Sequence, residues 1–490
     1  MFKYGSPESC GIDSSKIKEY IKVLEDANLS THDIIIMRNG TIVYENYWKP
    51  FHKDYLHRMY SVTKSFVSIA VGFLIQEGKI GLDTKICDVF PPEITEGACE
   101  NIRKQTIRNM LMMATGWPSG APYFFSRKPN DRVKDYFWAS GAFNGVSREP
   151  GTYFEYDSTG SFVMGAMVEE LTGKTLMEYL REKFMDKIGV SKEAYMLTCP
   201  GGHAWSDSAL ICKPTDLLKV ANFCMHYGNH EGEQILSADY LKEATSNLID
   251  VHRGEGYGYG YQFWTLPYNS FYFNGMGSQF AVCSPDKDMI LICNADNQGN
   301  GTAEKTIINS YFELVHNTAS DSPLPENKIA REELKSYSES LELWHCRGKD
   351  DEKSARISGK TFVFSDNPMT LSKVRFTFSG DEGKMEYTNK RGAKVLNFAF
   401  DRNYFEPFPE GGYSGDVACG SIPDLHFKSA NSAMWVGDTL QIEVQIIDTY
   451  FGRLHMYFDF SESGKVKVTM QKIAEDFLHE YQGEAEGHEE

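Results

Sequence analysis

The stretch that decides the fold is residues 59–66, which read Met-Tyr-Ser-Val-Thr-Lys-Ser-Phe. It opens a run to Gln76 that is apolar on nearly every side and stops at Gly78. Such a run is typical of a buried helix that ends at a glycine. A spacing of three places Ser61 and Lys64 on one helical face, within hydrogen-bond reach. The sequence therefore predicts a serine and a lysine together at the start of a buried helix.

This pair could carry nucleophilic catalysis. A serine hydroxyl attacks well only when a neighbouring base takes its proton, and a lysine is such a base only where desolvation favours the neutral amine. A helix N-terminus adds a partial positive charge and N–H groups that favour an oxyanion. The spacing by itself is weak, because Ser15 with Lys18 and Ser284 with Lys287 repeat it. The alternative is a helix-capping serine beside a lysine that extends its ammonium to solvent.

Composition limits the classes of partner. The 490 residues suit about two to four domains. Fifty basic against 68 acidic side chains give a net charge of −18. That field repels phosphate backbones and anionic lipid headgroups, so we expect no nucleic-acid partner and no membrane association. Ten cysteines without a Cys-x-x-Cys pair, and no secretory signal in residues 1–8, predict a reducing, cytoplasmic location.

The pattern along the chain predicts mixed helices and hairpin strands. A helix begins near Asp13, and Asn39-Gly40 joins two β-strands in a tight hairpin. Helical patterns cover residues 106–113, 160–184, 214–228 and 303–315. Residues 256–264 alternate glycine with aromatic residues, which predicts a strand whose glycine face lets another backbone approach closely. Three further strands are expected near residues 271–273, 280–283 and 289–293.

The last third of the chain differs in character. Residues 319–355 are rich in proline and charge and predict a linker between a domain at 1–318 and one at 356–490. Beyond the linker, strands alternate with period two, as in residues 373–378 and 441–446. This pattern predicts an antiparallel β-barrel or sandwich. The acidic residues 483–490 are expected to fray.

The motif at residues 59–66, followed by residues 76–83, resembles the first motif of serine hydrolases related to class C β-lactamases and penicillin-binding proteins. Four further segments match that family in order, namely residues 106–117, 149–158, 213–217 and 275–279. The resemblance covers roughly residues 5–318. It implies an α+β fold of the β-lactamase/transpeptidase type: an antiparallel sheet flanked by helices, with an all-helical subdomain. In this chain a C-terminal antiparallel β domain follows.

The resemblance also implies roles for particular side chains. Ser61 would be the nucleophile, Lys64 its base, and Tyr156 a second acid or base that relays the proton to the leaving group. Ser158 stands where the family's Tyr-x-Asn motif has asparagine, as in its esterase and amidase branches. The alternative for Tyr156 is a core tyrosine bonded to a backbone carbonyl.

The third motif departs most from the family pattern. Gly275-Met276-Gly277 stands where penicillin-binding proteins have Lys-Thr-Gly, so no lysine is present to attract a substrate carboxylate. The pattern Gly-x-x-x-Gln, which ends at Gln279, is instead similar to 6-aminohexanoate-dimer hydrolases and related esterases. The Met276 N–H, or alternatively that of Ser278, would complete an oxyanion hole with the nucleophile's own N–H. A plain core hairpin is the alternative.

Aromatic residues between the first two motifs predict either a cleft wall for an apolar acyl or amide group or ordinary loop packing: Trp117, Tyr123, Phe124, Tyr136, Phe137 and Trp138. The sequence thus predicts a serine hydrolase that cleaves an ester or amide bond of a small molecule, without metal or organic cofactor. The alternatives are a β-lactamase or D,D-peptidase, and an acyl-binding sensor that does not turn over. Whether the chain forms a homo-oligomer is left open.

Overall fold

A computed structural model describes residues 2–116, 133–134, 136–137, 148–198, 203–411, 426–474 and 478–490. The chain divides into two compact units. The first contains residues 1–297 and 302–342, and the second contains residues 298–301 and 343–490. The division at residue 342 lies inside the segment predicted as a linker.

The first unit is built on a nine-stranded sheet in the order β1-β3-β2-β14-β13-β12-β11-β10-β9. Neighbouring strands are antiparallel except for the short parallel pair β1–β3. The strands β4, β6 and β5 form a small separate sheet, and β7 pairs with β8. The bounds are β1 (Lys3–Tyr4), β2 (Thr31–Arg38), β3 (Thr41–Tyr47), β4 (His57–Arg58), β5 (Tyr195–Met196), β6 (Leu210–Cys212), β7 (Asn229–His230), β8 (Glu233–Gln234), β9 (Ile249–Asp250), β10 (Gly258–Tyr259), β11 (Trp264–Leu266), β12 (Ser270–Gly275), β13 (Gln279–Ser284) and β14 (Met289–Ala295).

Helices cover both faces of this sheet, and two hydrophobic clusters fill the space between the layers. Helix α2 (Val62–Gln76) belongs to one cluster, and α1 (Ser14–Asp26) and α10 (Ala303–Tyr311) belong to the other. The α-helices described in the first unit are α1 (Ser14–Asp26), α2 (Val62–Gln76), α3 (Pro92–Thr95), α4 (Glu100–Lys104), α5 (Ile107–Leu111), α6 (Ser158–Thr172), α7 (Leu176–Leu180), α8 (Pro214–Met225), α9 (Ala238–Ala244), α10 (Ala303–Tyr311) and α11 (Lys328–Glu339).

Two predictions of local structure, the hairpin at Asn39-Gly40 and the end of helix α2 before Gly78, are confirmed. The hairpin between β2 and β3 turns at Asn39 and Gly40, whose φ angles are +50° and +68°. Helix α2 runs to Gln76, and Gly78 follows it at φ +69°. Residues 62–74 of α2 are all buried, as expected of a helix without a polar face.

Two other predictions are wrong in detail. The helical pattern over residues 160–184 is two helices, because Gly173 at φ +66° ends α6 before α7 begins. The single strand predicted over residues 256–264 is interrupted: β10 covers only residues 258–259, and a bend in which Gln262 adopts φ +62° separates it from β11, which begins at Trp264. The expected close approach of backbone does occur: a Cβ on Gly260 would lie 2.1 Å from the Ala244 carbonyl oxygen.

Gln262 joins three helices inside the core. Its backbone carbonyl accepts a hydrogen bond from Ser65 Oγ of α2 at 2.7 Å, and its Oε1 accepts one from Ser161 Oγ of α6 at 2.6 Å. Its side-chain amide donates to the carbonyls of Met110 and Leu111 in α5. A buried amide is stable only when its hydrogen bonds are made. This residue therefore fixes α2 and α6 relative to one another.

The predicted linker, residues 319–355, contains helix α11 and most of α12 (Asp351–Ile357). Helix α11 belongs to the first unit and buries Ala330, Leu334 and Ser338 along one face. That spacing of four residues is an amphipathic signal that the charged composition of the segment obscures.

The second unit contains a ten-stranded sheet in the order β18-β17-β16-β15-β24-β23-β22-β21-β20-β19, and a pairing of β18 with β20 closes it into a barrel. Inward residues alternate along the strands and fill its interior, for example Phe376, Met385, Leu396, Ile442, Val444, Met456 and Val468. The strands are β15 (Thr361–Phe364), β16 (Lys373–Ser379), β17 (Glu382–Asn389), β18 (Gly392–Phe400), β19 (Tyr404–Gly411), β20 (His426–Val436), β21 (Thr439–Ile447), β22 (Phe451–Asp459), β23 (Lys465–Ile473) and β24 (Gly483–Glu489).

The prediction that residues 483–490 fray is wrong. Residues 483–489 form β24, which pairs with both β15 and β23. Small residues at alternate positions, Gly483, Ala485 and Gly487, are more buried than the glutamates between them. Within the part of the chain that the structure describes, no helix has the length and apolar character needed to cross a membrane.

Candidate active site

The turn that leads into α2 holds the candidate nucleophile in an unusual backbone setting. Tyr60 has φ +45°, a conformation that costs a non-glycine residue of this size strain energy. Its ring lies under the Arg58 guanidinium, 4.5 Å from the guanidinium carbon, and Trp205 lies 4.7 Å from the same carbon. Ser61 then takes the N-cap position of α2 with helical φ and ψ. The turn therefore presents Ser61 at the helix start.

The Ser61 hydroxyl does not cap the helix. Its side chain accepts no hydrogen bond from the first-turn N–H groups of α2. Instead Ser61 Oγ accepts a hydrogen bond from Lys64 Nζ at 2.9 Å. The Ser61 N–H makes no hydrogen bond to any described residue. This arrangement excludes the capping interpretation and leaves both groups available to a ligand.

Lys64 is buried, with a relative exposure of 2%. Its ammonium does not reach solvent: besides Ser61, it donates to the backbone carbonyl of Asp207 at 2.8 Å. Helix α6 packs closely against the segment that carries this carbonyl. A Cβ added at Gly165 of α6 would lie only 2.0 Å from Oγ of Ser206, the residue before Asp207. A lysine fixed by two acceptors in a desolvated place has the geometry that a proton-transfer group needs.

Tyr156 completes the group. Lys64 Nζ lies over its ring, 5.2 Å from the ring centroid. The ring stacks on Trp264 of β11, with centroids 5.7 Å apart. The Tyr156 hydroxyl makes no hydrogen bond to another described residue, so the alternative of a core tyrosine bonded to a backbone carbonyl does not apply. The structure brings Ser61, Lys64 and Tyr156 together from two distant segments.

The hairpin between β12 and β13 lies against the nucleophile turn. Gly275 pairs with Gln279, and residues 276–278 form the loop between them. A Cβ on Gly275 would lie 2.3 Å from the carbonyl oxygen of Met59, two residues before Ser61. Only glycine permits this approach, because the neighbouring atom belongs to backbone. The N–H groups of Met276 and Ser278 donate to no described residue, so either can serve an oxyanion.

Two buried side chains hold this loop in shape. Gln279 is fully buried, and its amide donates to the carbonyls of Met276, at 3.1 Å, and Ala295. Asn297 donates its backbone N–H to the Gly277 carbonyl at 3.0 Å. Its side-chain amide reaches Ser278 Oγ at 3.4 Å. Gln279, which the sequence placed among the substrate-binding residues, has a bracing position in this structure.

The remaining predicted residues are Ser158 and the six aromatic residues between the first two motifs. Ser158 is the first residue of α6, and its side chain forms no hydrogen bond with a described residue. Of the aromatic residues expected to line a cleft, Tyr136 and Phe137 are buried in the core, where Phe137 packs edge-on to Phe90. Four lie outside the described residues: Trp117, Tyr123, Phe124 and Trp138.

Sequence reasoning missed three groups that help to position the residues of the candidate site. The Asp207 carbonyl and the Asn297 backbone N–H act through main-chain atoms, which leave no signal in residue identity. Asp157, next to Tyr156, is 3% exposed and caps α6 by accepting from the Thr159 N–H at 2.8 Å. A capping signal was present there, since aspartate directly before an apolar run marks a helix start.

The fold and site define a class: a helix-borne Ser-x-x-Lys pair that lies beside a tyrosine and a hairpin of an antiparallel sheet. The Beta-lactamase family model matches residues 24–309. The chain belongs to the Beta-lactamase family.

Particular relatives are distant. A 6-aminohexanoate-dimer hydrolase of Paenarthrobacter ureafaciens is 22% identical over 227 residues, which span 43% of this chain and 56% of that protein. The chain thus spans little more than half the length of that curated relative.

Two solved structures share the fold. A putative 6-aminohexanoate-dimer hydrolase from Bacillus anthracis has a TM-score of 0.53 at 19% identity, covering 66% of this chain and 89% of its own. An octameric penicillin-binding protein homologue from Pyrococcus abyssi has a TM-score of 0.50 at 15% identity and covers 96% of this chain and 99% of its own. The second likeness extends over both units.

Proposed function

We propose that the protein is a serine hydrolase that cleaves an ester or amide bond of a small molecule through an acyl-enzyme on Ser61. The observation that carries this proposal is the 2.9 Å hydrogen bond between Lys64 Nζ and the Ser61 hydroxyl. Ser61 stands at the N-cap position of α2, but its side chain accepts no hydrogen bond from the helix N–H groups. A structural serine at this position would bond to the helix N–H groups instead.

The proposed reaction has two halves. With Lys64 as the neutral amine, Ser61 Oγ transfers its proton to Nζ and attacks the substrate carbonyl carbon. The oxyanion of the tetrahedral intermediate accepts hydrogen bonds from the Ser61 N–H and from the Met276 or Ser278 N–H. The Tyr156 phenol relays a proton from Lys64 to the leaving alcohol or amine, which departs. Water then adds to the acyl-serine, and the reverse proton transfers release the acid and restore Ser61.

The hairpin favours an ester or linear amide over a penicillin. Its described residues Gly275, Met276 and Gly277 offer no cation to a substrate carboxylate. The relative named for 6-aminohexanoate-dimer hydrolysis supports a linear amide as a test substrate.

We further propose a cytoplasmic location, which agrees with the free thiols of all eight cysteines within the described ranges. The octameric homologue supports self-association as a partner hypothesis.

A substrate panel tests the proposal. Wild-type protein is assayed with a p-nitrophenyl ester, a linear amide of aminohexanoic acid and a chromogenic β-lactam. We expect steady turnover of the ester or the linear amide, and loss of it in Ser61→Ala. The matched control is Ser15→Ala, because Ser15 precedes Lys18 with the same spacing.

The kinetics separate the rival functions. One equivalent of released product without further turnover would favour the acyl-binding sensor. Turnover of the β-lactam alone would favour the β-lactamase. Activity that survives in Ser61→Ala would overturn the proposed nucleophile.

A further inference from the structure

The orientation of the Tyr156 ring depends on packing. Its hydroxyl makes no hydrogen bond to another described residue, and residues 151–157, which carry it, belong to no helix or strand. The ring lies 5.2 Å from Lys64 Nζ and stacks on the Trp264 indole, with centroids 5.7 Å apart and planes 24° apart. An acid works only when it is aligned with the atom that it protonates. The indole is therefore the structural support of the proposed acid.

Trp264 is itself fixed in the sheet. It is the first residue of β11, pairs with Tyr272 of β12 and is 9% exposed. The rings of Phe154 and Tyr259 meet it at 69° and 87°, with centroids 5.6 Å and 5.0 Å away. Such edge-to-face contacts are favourable arrangements of aromatic rings. Since Phe154 and Tyr156 belong to the same segment, two rings of that segment contact one indole of the sheet.

Arg253 makes a further contact with the indole. Its guanidinium carbon lies 4.6 Å from the centroid of the Trp264 ring, and a cation over an indole is attracted by the ring electrons. The guanidinium is held in turn by Glu304 of α10, whose Oε1 lies 3.4 Å from Nη1. The same oxygen accepts a hydrogen bond from the Tyr272 hydroxyl at 2.8 Å. Backbone pairing and ring contacts thus hold the indole together.

We propose that Trp264 is a positioning residue that holds the Tyr156 phenol in the orientation in which it protonates the leaving group. In acylation the bond between the carbonyl carbon and the leaving oxygen or nitrogen breaks, and its electron pair stays on the leaving atom. That atom takes the proton that Ser61 gave up. An alkoxide or an amine anion is too basic to depart without this proton, whereas p-nitrophenolate is a stable anion. This inference rests on the proposed function.

The test compares kcat/KM for the p-nitrophenyl and ethyl esters of one acid, so that the two substrates differ only in the leaving group. We expect Trp264→Leu to lower kcat/KM by about 10²-fold for the ethyl ester and by less than about 10-fold for the p-nitrophenyl ester. Trp264→Phe keeps a ring beside Tyr156 and should retain most of the wild-type ratio of the two values.

The matched control is Trp48→Leu. Trp48 is fully buried in the same unit, and its indole N–H donates to Glu25 Oε1 at 2.8 Å. This variant should leave the ratio of the two esters unchanged, whatever its stability. Circular dichroism melting establishes for each variant that it is folded at the assay temperature.

Arg253→Ala provides a second variant at a half-exposed side chain. It removes the cation from the indole and keeps the aromatic contacts. We expect the same selective loss on the ethyl ester, reduced to about 2–5-fold.

Each outcome has a defined meaning. An unchanged ratio in folded Trp264→Leu, an equal fall for both esters, or the same shift in Trp48→Leu would overturn the positioning role and leave the proposed function standing. Should Trp264→Leu fail to fold, an unchanged ratio in Arg253→Ala would overturn that role. Wild-type turnover of the p-nitrophenyl ester without the ethyl ester would also overturn it. Wild-type protein that hydrolyses no substrate of the panel, or hydrolysis that survives in Ser61→Ala, would overturn the proposed function as well.

Discussion

Two helices of this molecule carry serine and lysine at the same spacing, and their surroundings differ. On α1, Ser15 lies at a half-buried helix start, and Lys18 forms an ion pair with Glu333 at 2.9 Å, with both of these charged side chains more than a third exposed. On α2, Ser61 and Lys64 bond to each other in a buried turn. The spacing alone therefore does not make a site. Burial makes the difference, because it removes the competing carboxylates and water that a surface lysine finds.

The largest expected effect is on catalytic activity, and it should distinguish substitution of Lys64 from substitution of Lys18. Replacing Lys64 by glutamine removes the proposed base while leaving a side chain that can still hydrogen-bond to Ser61. We expect kcat/KM with the preferred substrate of the panel to fall by about 10²–10⁴-fold. Lys18→Gln should leave activity unchanged and cost at most about 1 kcal/mol in stability, since it breaks an exposed ion pair. Equal activities for the two variants would contradict the contrast between the helices.

A second experiment concerns the hairpin packed on the α2 turn. In Gly275→Ala the new Cβ would meet the Met59 carbonyl oxygen at 2.3 Å, so backbone must shift. We expect a loss of about 1–3 kcal/mol in the free energy of unfolding and a fall of up to about 10²-fold in kcat/KM, because the oxyanion donors move.

Gly81→Ala is the matched control for this substitution. Its nearest neighbour, Thr84 Oγ1, would lie 3.8 Å from the new Cβ, an ordinary contact. Unchanged kinetics in Gly275→Ala would show that the hairpin does not contribute to the oxyanion site.

The smallest expected effect is on the free energy of unfolding. Here the substitution on α1 should have the larger effect, whereas for activity the substitution on α2 has the larger effect. Asp13 caps α1 through the Ser15 N–H at 2.8 Å, so Asp13→Ala should cost about 1 kcal/mol in urea unfolding. Ser61 makes no such bond, so Ser61→Ala removes no helix cap and should cost less in the free energy of unfolding than Asp13→Ala. A cost for Ser61→Ala as large as that for Asp13→Ala would mean that the hydroxyl caps α2 in solution.

Much of the α2 region could be predicted because its signals are local. Helical spacing places Lys64 beside Ser61, and a long apolar run with a terminal glycine predicts a buried helix. The nearness of Tyr156 came only through family resemblance, since about ninety residues separate it from Lys64. The Asp207 carbonyl could not be predicted, because every residue has a carbonyl. The strand expected over residues 256–264 failed at Gln262, a residue type that seldom takes positive φ.

The backbone of Tyr60 has a consequence for how the site responds to heat. A tyrosine at φ +45° persists only while its surroundings hold it, here through the Arg58 guanidinium over its ring. Relaxation of this one residue would rotate the peptide that carries Ser61, the proposed nucleophile, while the sheet and the helices stay folded. The protein should therefore lose the geometry of the candidate site by local rearrangement at temperatures below those that melt its core.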